Sequence, residues 1–148
     1  AIAEKKTLLI DFDPQGNASS ALGVTKEQIA EGATVYRALI GEVPLESILR
    51  TTEMDCLSVA PCDSNLAGAE IELVSAFARE TRLKSAIAPI KDRFDYILID
   101  CPPSLGLLTV NALTAADSFL VPLQCEYFAL EGLSQLLNTV GVLRQRVH

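Results

Sequence analysis

Three aspartates carry the clearest chemical pattern in this sequence. Asp11 and Asp13 close the apolar run of "LLIDFDPQGN", and Asp100 closes that of "YILIDCPPS". Side chains at i and i+2 share one face of a strand, so Asp11 and Asp13 start out side by side, although the turn at Pro14 can re-aim the second. Carboxylates gathered at one edge repel each other unless a cation or a proton sits among them. A hard cation that keeps several waters and meets phosphate oxygens, magnesium above all, suits such a cluster. The competing reading is that the aspartates only cap the turns or helices that follow. Two apolar strands that both end in Asp, each running into a Pro- or Gly-rich turn, favour a phosphate–metal site.

The elements that must position these carboxylates are legible in the apolar pattern. Short continuous apolar runs at 7–12, 57–61, 95–100 and 118–123 predict strands buried on both faces. Segments of helical period separate them. Leu66, Ala69, Leu73 and Phe77 form one stripe, and Leu130, Leu133, Leu137, Val140 and Leu143 form a longer one. "TKEQ" at 25–28 has the form of a capping box, and residues 34–50 predict a further helix or two, broken near Gly41 and Pro44. Pro102 and Pro103 turn the chain away directly after Asp100. A helix carrying Leu108, Ala112 and Ala115 inward is expected after Gly106, and a loop of this build resembles a nucleotide-sensing switch. Strands alternating with helices predict an α/β fold, a parallel sheet with helices on both faces, whose function collects at the carboxyl ends of the strands.

The totals narrow the function classes. With 148 residues, 49% of them hydrophobic, the chain can bury a core and is not expected to be disordered. A single domain is expected, with no linker or repeat. A net charge of −7 argues against a general nucleic-acid surface, which needs clustered Lys and Arg. Its few basic clusters, Lys5–Lys6 and Arg144 with Arg146, are read as solvated surface. The four cysteines show no C-x-x-C spacing and the lone His148 is terminal, so zinc is not expected and a reducing cytoplasm is. No apolar run reaches the roughly 20 residues that a membrane-spanning helix needs.

Three blocks, "LLIDFDPQGNASSALGV" at 8–24, "YILIDCPPSLGLLTVNALTAAD" at 96–117 and "VPLQCEYFALEGLSQLL" at 121–137, closely resemble the ParA/Soj family of chromosome- and plasmid-partitioning ATPases, relatives of MinD and of nitrogenase iron protein. "LAGAEIELV" at 66–74 is similar to the family as well. The resemblance implies that Asp13 orients and activates the water attacking the γ-phosphate. It implies that Asp11 supports the magnesium shell and that Asp100 is the Walker B aspartate, holding magnesium through a water. The turns at 13–18 and 101–107 would be the two switch regions, placing Gln15, Gly16, Asn17 and Pro102 near the phosphates. It further implies ATP and Mg2+ as cofactors, an ATP-sandwiched homodimer, a ParB-type stimulating partner, non-specific DNA binding, no membrane, and a cytoplasmic, nucleoid-associated location.

One departure from the family is plain. The deviant Walker A motif K-G-G-x-G-K-[ST] should precede the first strand, and no Gly-Lys pair occurs here. "AIAEKK" resembles the end of the helix that follows that loop, so the sequence is expected to be a partial nucleotide-binding domain that begins after the P-loop and ends before the last strands and the DNA-binding surface. Alone it is expected to bind no cofactor and to hydrolyse no ATP. In the family the P-loop strand lies between those matching 95–100 and 118–123, so both are expected to have unpaired edges, with marginal folding or self-association as the result. Two other readings stand beside this one: a P-loop-less interaction module, and a phosphatase of the haloacid-dehalogenase type, which also ends a strand in D-x-D.

Overall fold

The computed structural model describes residues 4–25, 27, 29, 32–122 and 127–147. Its centre is β1 (Thr7–Asp11), a strand buried along nearly its whole length. The chain continues through α1 (Asn17–Ala21) and α2 (Val35–Ile40), a short 3-10 turn at Leu45–Ile48, and β2 (Arg50–Thr51) into β3 (Leu57–Ala60). Next come α3 (Leu66–Glu72), α4 (Arg82–Ile87), β4 (Tyr96–Asp100), α5 (Leu107–Ala115) and α6 (Tyr127–Val147). The sheet order is β2-β3-β1-β4. β1 pairs in parallel with both β3 and β4, in a register that sets Asp11 opposite Asp100. The α/β fold is therefore as expected, with one addition. The two-residue β2 runs antiparallel to β3 at the edge, too short to leave an apolar run in the sequence.

Strand alternation divides the sheet residues between two faces. Leu8, Ile10, Ala60, Ile97 and Ile99 join Val35, Leu39, Leu83, Ile90 and Leu108 from the helices in one core. On the opposite face Asp11 and Val59 are buried, but β4 is open: Tyr96 is 59% and Leu98 55% exposed. Gly41 ends α2 in the left-handed region at φ 88°, where only glycine is unstrained, and Pro44 precedes the 3-10 turn. This matches the break expected within 34–50. α5 buries Leu108 and Ala112 in the core with Ala115 against it, also as expected.

Three expectations fail. The strand at 95–100, expected to be buried on both faces, is exposed on one as β4. Residues 118–122 form no strand, and Leu120 is 92% exposed. A strand exists only where a neighbour accepts its hydrogen bonds, and among the described residues β4, last in the sheet order, pairs on one side alone. The stripe through Leu66, Ala69 and Leu73 is buried, yet Phe77 is 92% exposed. The α3 helix gives way to a 3-10 turn ending at Ser75, Ala76 is extended, and Ala78 is left-handed at φ 54°, so the helical period stops short of Phe77. Lys26 and Gln28 of the capping box lie outside the described residues, as do residues 123–126 and the side chains of Leu130 and Leu143. No helix of the described residues is long and apolar enough to cross a membrane.

Candidate functional site

The parallel pairing of β1 with β4 brings the two acidic strand ends together. Phe12 N–H donates to the Asp100 carbonyl at 2.8 Å, which carries the pairing one residue past β1 and holds both turns at one edge. The three sequence-predicted aspartates have different surroundings there.

Asp11 is fully buried. Its Oδ2 accepts from the Ser19 amide at 2.7 Å and from the Ser19 hydroxyl at 2.6 Å, and its Oδ1 accepts from the Asp13 amide at 3.4 Å. Ser19 lies in the first turn of α1, whose leading amides have no partner within the helix, so Asp11 satisfies one of them from outside. The Ser19 hydroxyl oxygen in turn accepts from the Cys62 amide at 3.2 Å, tying the end of β3 into the same network.

Asp13 is half-buried and folds its own turn. Its Oδ1 accepts from the Gln15 amide at 3.0 Å, and its carbonyl accepts from the Gly16 amide at 2.9 Å. Gly16 sits at φ 67°, a left-handed conformation that lets the turn reverse into α1, where it is the N-cap. Gln15 and Asn17 are exposed on this turn, while Gly16 is buried. The Cys62 thiol donates to the Asp13 carbonyl at 3.2 Å. Burial, with the negative Asp11, Asp63 and Asp13 around it, pushes that thiol well above its ordinary pKa, so it stays protonated and able to donate.

Asp100 accepts no hydrogen bond through its carboxylate among the described residues, in contrast to the other two. Burial first, and then the charges of Asp11 and Asp13, raise its pKa above the ordinary value. This is the mutual repulsion expected of carboxylates sharing an edge. The chain then turns through Pro102, and Thr109 Oγ1 reaches back from α5 to donate to the Pro102 carbonyl at 3.3 Å and to that of Ser104.

Either a cation or a proton would relieve this charge, and the Asp100 carboxylate has no hydrogen bond among the described residues. Among the described residues no three acidic, His or Cys side chains stand close enough to hold a metal by themselves. Waters or phosphate oxygens would have to complete a shell, which is magnesium's habit. The concave surface lined by Lys6, Glu46, Arg50 and Arg93 lies by the opposite, amino ends of the strands and takes no part in this edge.

Sequence reasoning missed Ser19, Cys62 and Asn111. Ser19 and Cys62 carry no motif of their own, and they matter only because α1 and β3 bring them to Asp11. Fully buried Asn111 accepts from the Leu83 amide at 3.1 Å and donates to the carbonyls of Arg79 and Leu107, bolting α5 to the start of α4. A lone Asn in an apolar helix was the available signal.

Comparison with known proteins bears on the family and the fold. A family model described as AAA domain matches residues 1–148. The chain is 54% identical over 145 residues to the chromosome partitioning protein ParA of Myxococcus xanthus, covering 98% of this chain and 50% of that protein. It is 53% identical over 144 residues to the sporulation initiation inhibitor protein Soj of Bacillus subtilis, covering 97% and 56%. The chain thus spans about half the length of the curated relatives it matches. Among solved structures, cobyrinic acid a,c-diamide synthase of Mycobacterium smegmatis with bound ADP and magnesium superposes with a TM-score of 0.90 at 40% identity, covering 97% of this chain and 58% of that one. A plasmid partition protein of Borrelia burgdorferi gives 0.87 at 26% identity, covering 95% and 62%. A chain that the AAA domain model matches along its whole length belongs to the AAA domain family, and along that length it is similar to ParA and Soj.

Proposed function

We propose that these residues are the partial nucleotide-binding domain of an ATPase that partitions chromosomes or plasmids by ATP-dependent dimerisation and magnesium-dependent hydrolysis. The observation that carries this reading is the register of β1 with β4, which sets Asp11 opposite Asp100 and delivers Asp13 on a turn at the same edge. Asp13, half-buried beside that edge, orients and activates the attacking water. Asp100 holds magnesium through water. Asp11 adds negative charge to the shell while its oxygens fix the 13–18 turn through Ser19. Magnesium, when bound, neutralises the phosphate oxygens. The protein's own part is positioning and charge placement, as in other phosphoryl transfers. Gln15, Gly16, Asn17 and Pro102 line the two turns that respond to the phosphates.

ATP and Mg2+ are the cofactors of the intact protein, which acts in the cytoplasm as a homodimer, stimulated by a ParB-type partner and carried on non-specific DNA. The segment alone binds no nucleotide and turns none over, because it contains no Gly-Lys pair to form a phosphate-binding loop. The test is Mg2+-dependent ATP turnover by the intact protein carrying this chain, measured with and without duplex DNA and a ParB-type partner. Stimulated turnover that Asp13→Ala abolishes supports the reading. Dimerisation without turnover would instead establish a non-catalytic interaction module, and hydrolysis of phosphate monoesters would point to phosphatase chemistry.

A further inference from the structure

The "LAGAE" segment of α3 has no part in the site as described so far, yet it reaches the 101–107 turn. Leu66 and Ala69 point into the core, and half-buried Glu70 turns toward the start of α5. Glu70 Oε1 accepts from the Leu108 amide at 3.4 Å, one of the leading amides of a nine-residue helix. A carboxylate is favoured there, because those amides lack partners and the helix dipole is positive at that end.

Gly106 gives a second, independent observation. Its backbone, at φ −81° and ψ −173°, is extended and open to any residue, so the conformation does not require glycine. Space does. A Cβ at this position would overlap Glu70 Oε1 and stand 3.1 Å from its carboxyl carbon. The missing side chain is therefore what lets the Glu70 carboxylate lie against the turn. The turn is held from two directions, by Thr109 from within α5 and by Glu70 from α3.

We propose that Glu70 is a positioning residue that clamps the start of α5 through the space left by Gly106, and so sets the 101–107 turn that joins Asp100 and Pro102 to the site. The effect on turnover rests on the proposed ATPase reading. The clamp itself does not.

The test is a double-mutant cycle in the intact protein with Glu70→Ala, Gly106→Ala and the pair, read by amide hydrogen exchange across 101–110 and by kcat and KM for ATP. The Gly106→Ala methyl takes the carboxylate's place without altering Glu70 itself. Each single variant is expected to speed exchange about tenfold, the loss of one charge-assisted hydrogen bond, and the pair no further. Glu70→Gln, which keeps an acceptor oxygen, is expected to fall between. KM is expected to shift more than kcat, since a misplaced turn costs phosphate binding first. Effects that simply add, or exchange that neither substitution changes, overturn the clamp. Loss of the ATPase reading would show separately, as turnover indifferent to Asp13→Ala with the exchange result intact.

Discussion

The Ser19 hydroxyl donates to Asp11 Oδ2 at 2.6 Å in a place where Asp11 is fully buried. This contact joins the end of the central strand to the first turn of the following helix. Through the Cys62 amide it also reaches the end of β3. The aspartate that the sequence marks as part of a metal shell is thus also the anchor of the turn that carries Asp13.

Ser19→Ala removes the hydroxyl and leaves both the Asp11 carboxylate and the Cys62 amide short of a buried partner. The expected loss is about 2 kcal/mol of unfolding free energy, with Ser19→Thr close to wild type. Urea unfolding of the three proteins side by side measures it. Equal stability of Ser19→Ala and wild type would show that the network holds nothing.

Asp13→Ala removes only the bond to the Gln15 amide within an exposed turn, a stability cost of about 0.5–1.5 kcal/mol. Its expected effect on kcat of the intact protein is much larger, about 10²–10⁴-fold, as for loss of a positioned general base. Steady-state ATP turnover beside thermal unfolding separates the two effects.

Asp100 predicts a pH dependence. Its folded pKa lies above the ordinary 3.8, so the folded chain binds this proton more tightly than the unfolded chain does. Stability contributed by this group therefore declines as pH rises from about 3.8 through the folded value. Asp100→Asn is expected to raise Tm by roughly 1–3 °C at pH 7, a modest gain because the group is partly solvated. The gain should vanish below the ordinary carboxylate pKa. Thermal scans of both proteins between pH 3 and pH 8 test the sign.

Among the described residues β4 has one edge without a partner, together with exposed Tyr96 and Leu98, the combination that recruits other chains. The 148-residue chain is expected to self-associate at micromolar concentration, and Leu98→Lys is expected to shift it toward monomer. Sedimentation velocity decides, and a monomeric wild-type chain that unfolds reversibly and cooperatively would contradict the expectation.

Much of the architecture was legible in the residues because β1, β3 and β4 are continuous apolar runs, and such runs, cut by Pro, Gly and Asp, leave little choice but a parallel sheet, although one face of β4 stays open. The same logic failed at 118–122. Apolar content there is as high, but a strand also needs a partner edge, and partner edges are not written in local sequence. Phe77 fits the helical stripe by spacing alone, and only the left-handed Ala78 beyond the end of the 3-10 turn reveals why it is solvent-exposed.

By itself the sequence determined that Asp11 and Asp100 end strands and that Asp13 follows at a turn, because side-chain type and apolar period are local properties. Only the tertiary structure decided how the three differ. Parallel register placed Asp11 against Asp100, burial and two Ser19 donors occupied Asp11, and the same edge left the Asp100 carboxylate without a hydrogen bond among the described residues and repelled by its neighbours. Hydrogen-bond partners such as Ser19 for Asp11, or Glu70 for the start of α5, come from residues 8 and 38 positions away. Their pairing follows from chain crossings that fix distance in space, and no spacing along the chain encodes that distance.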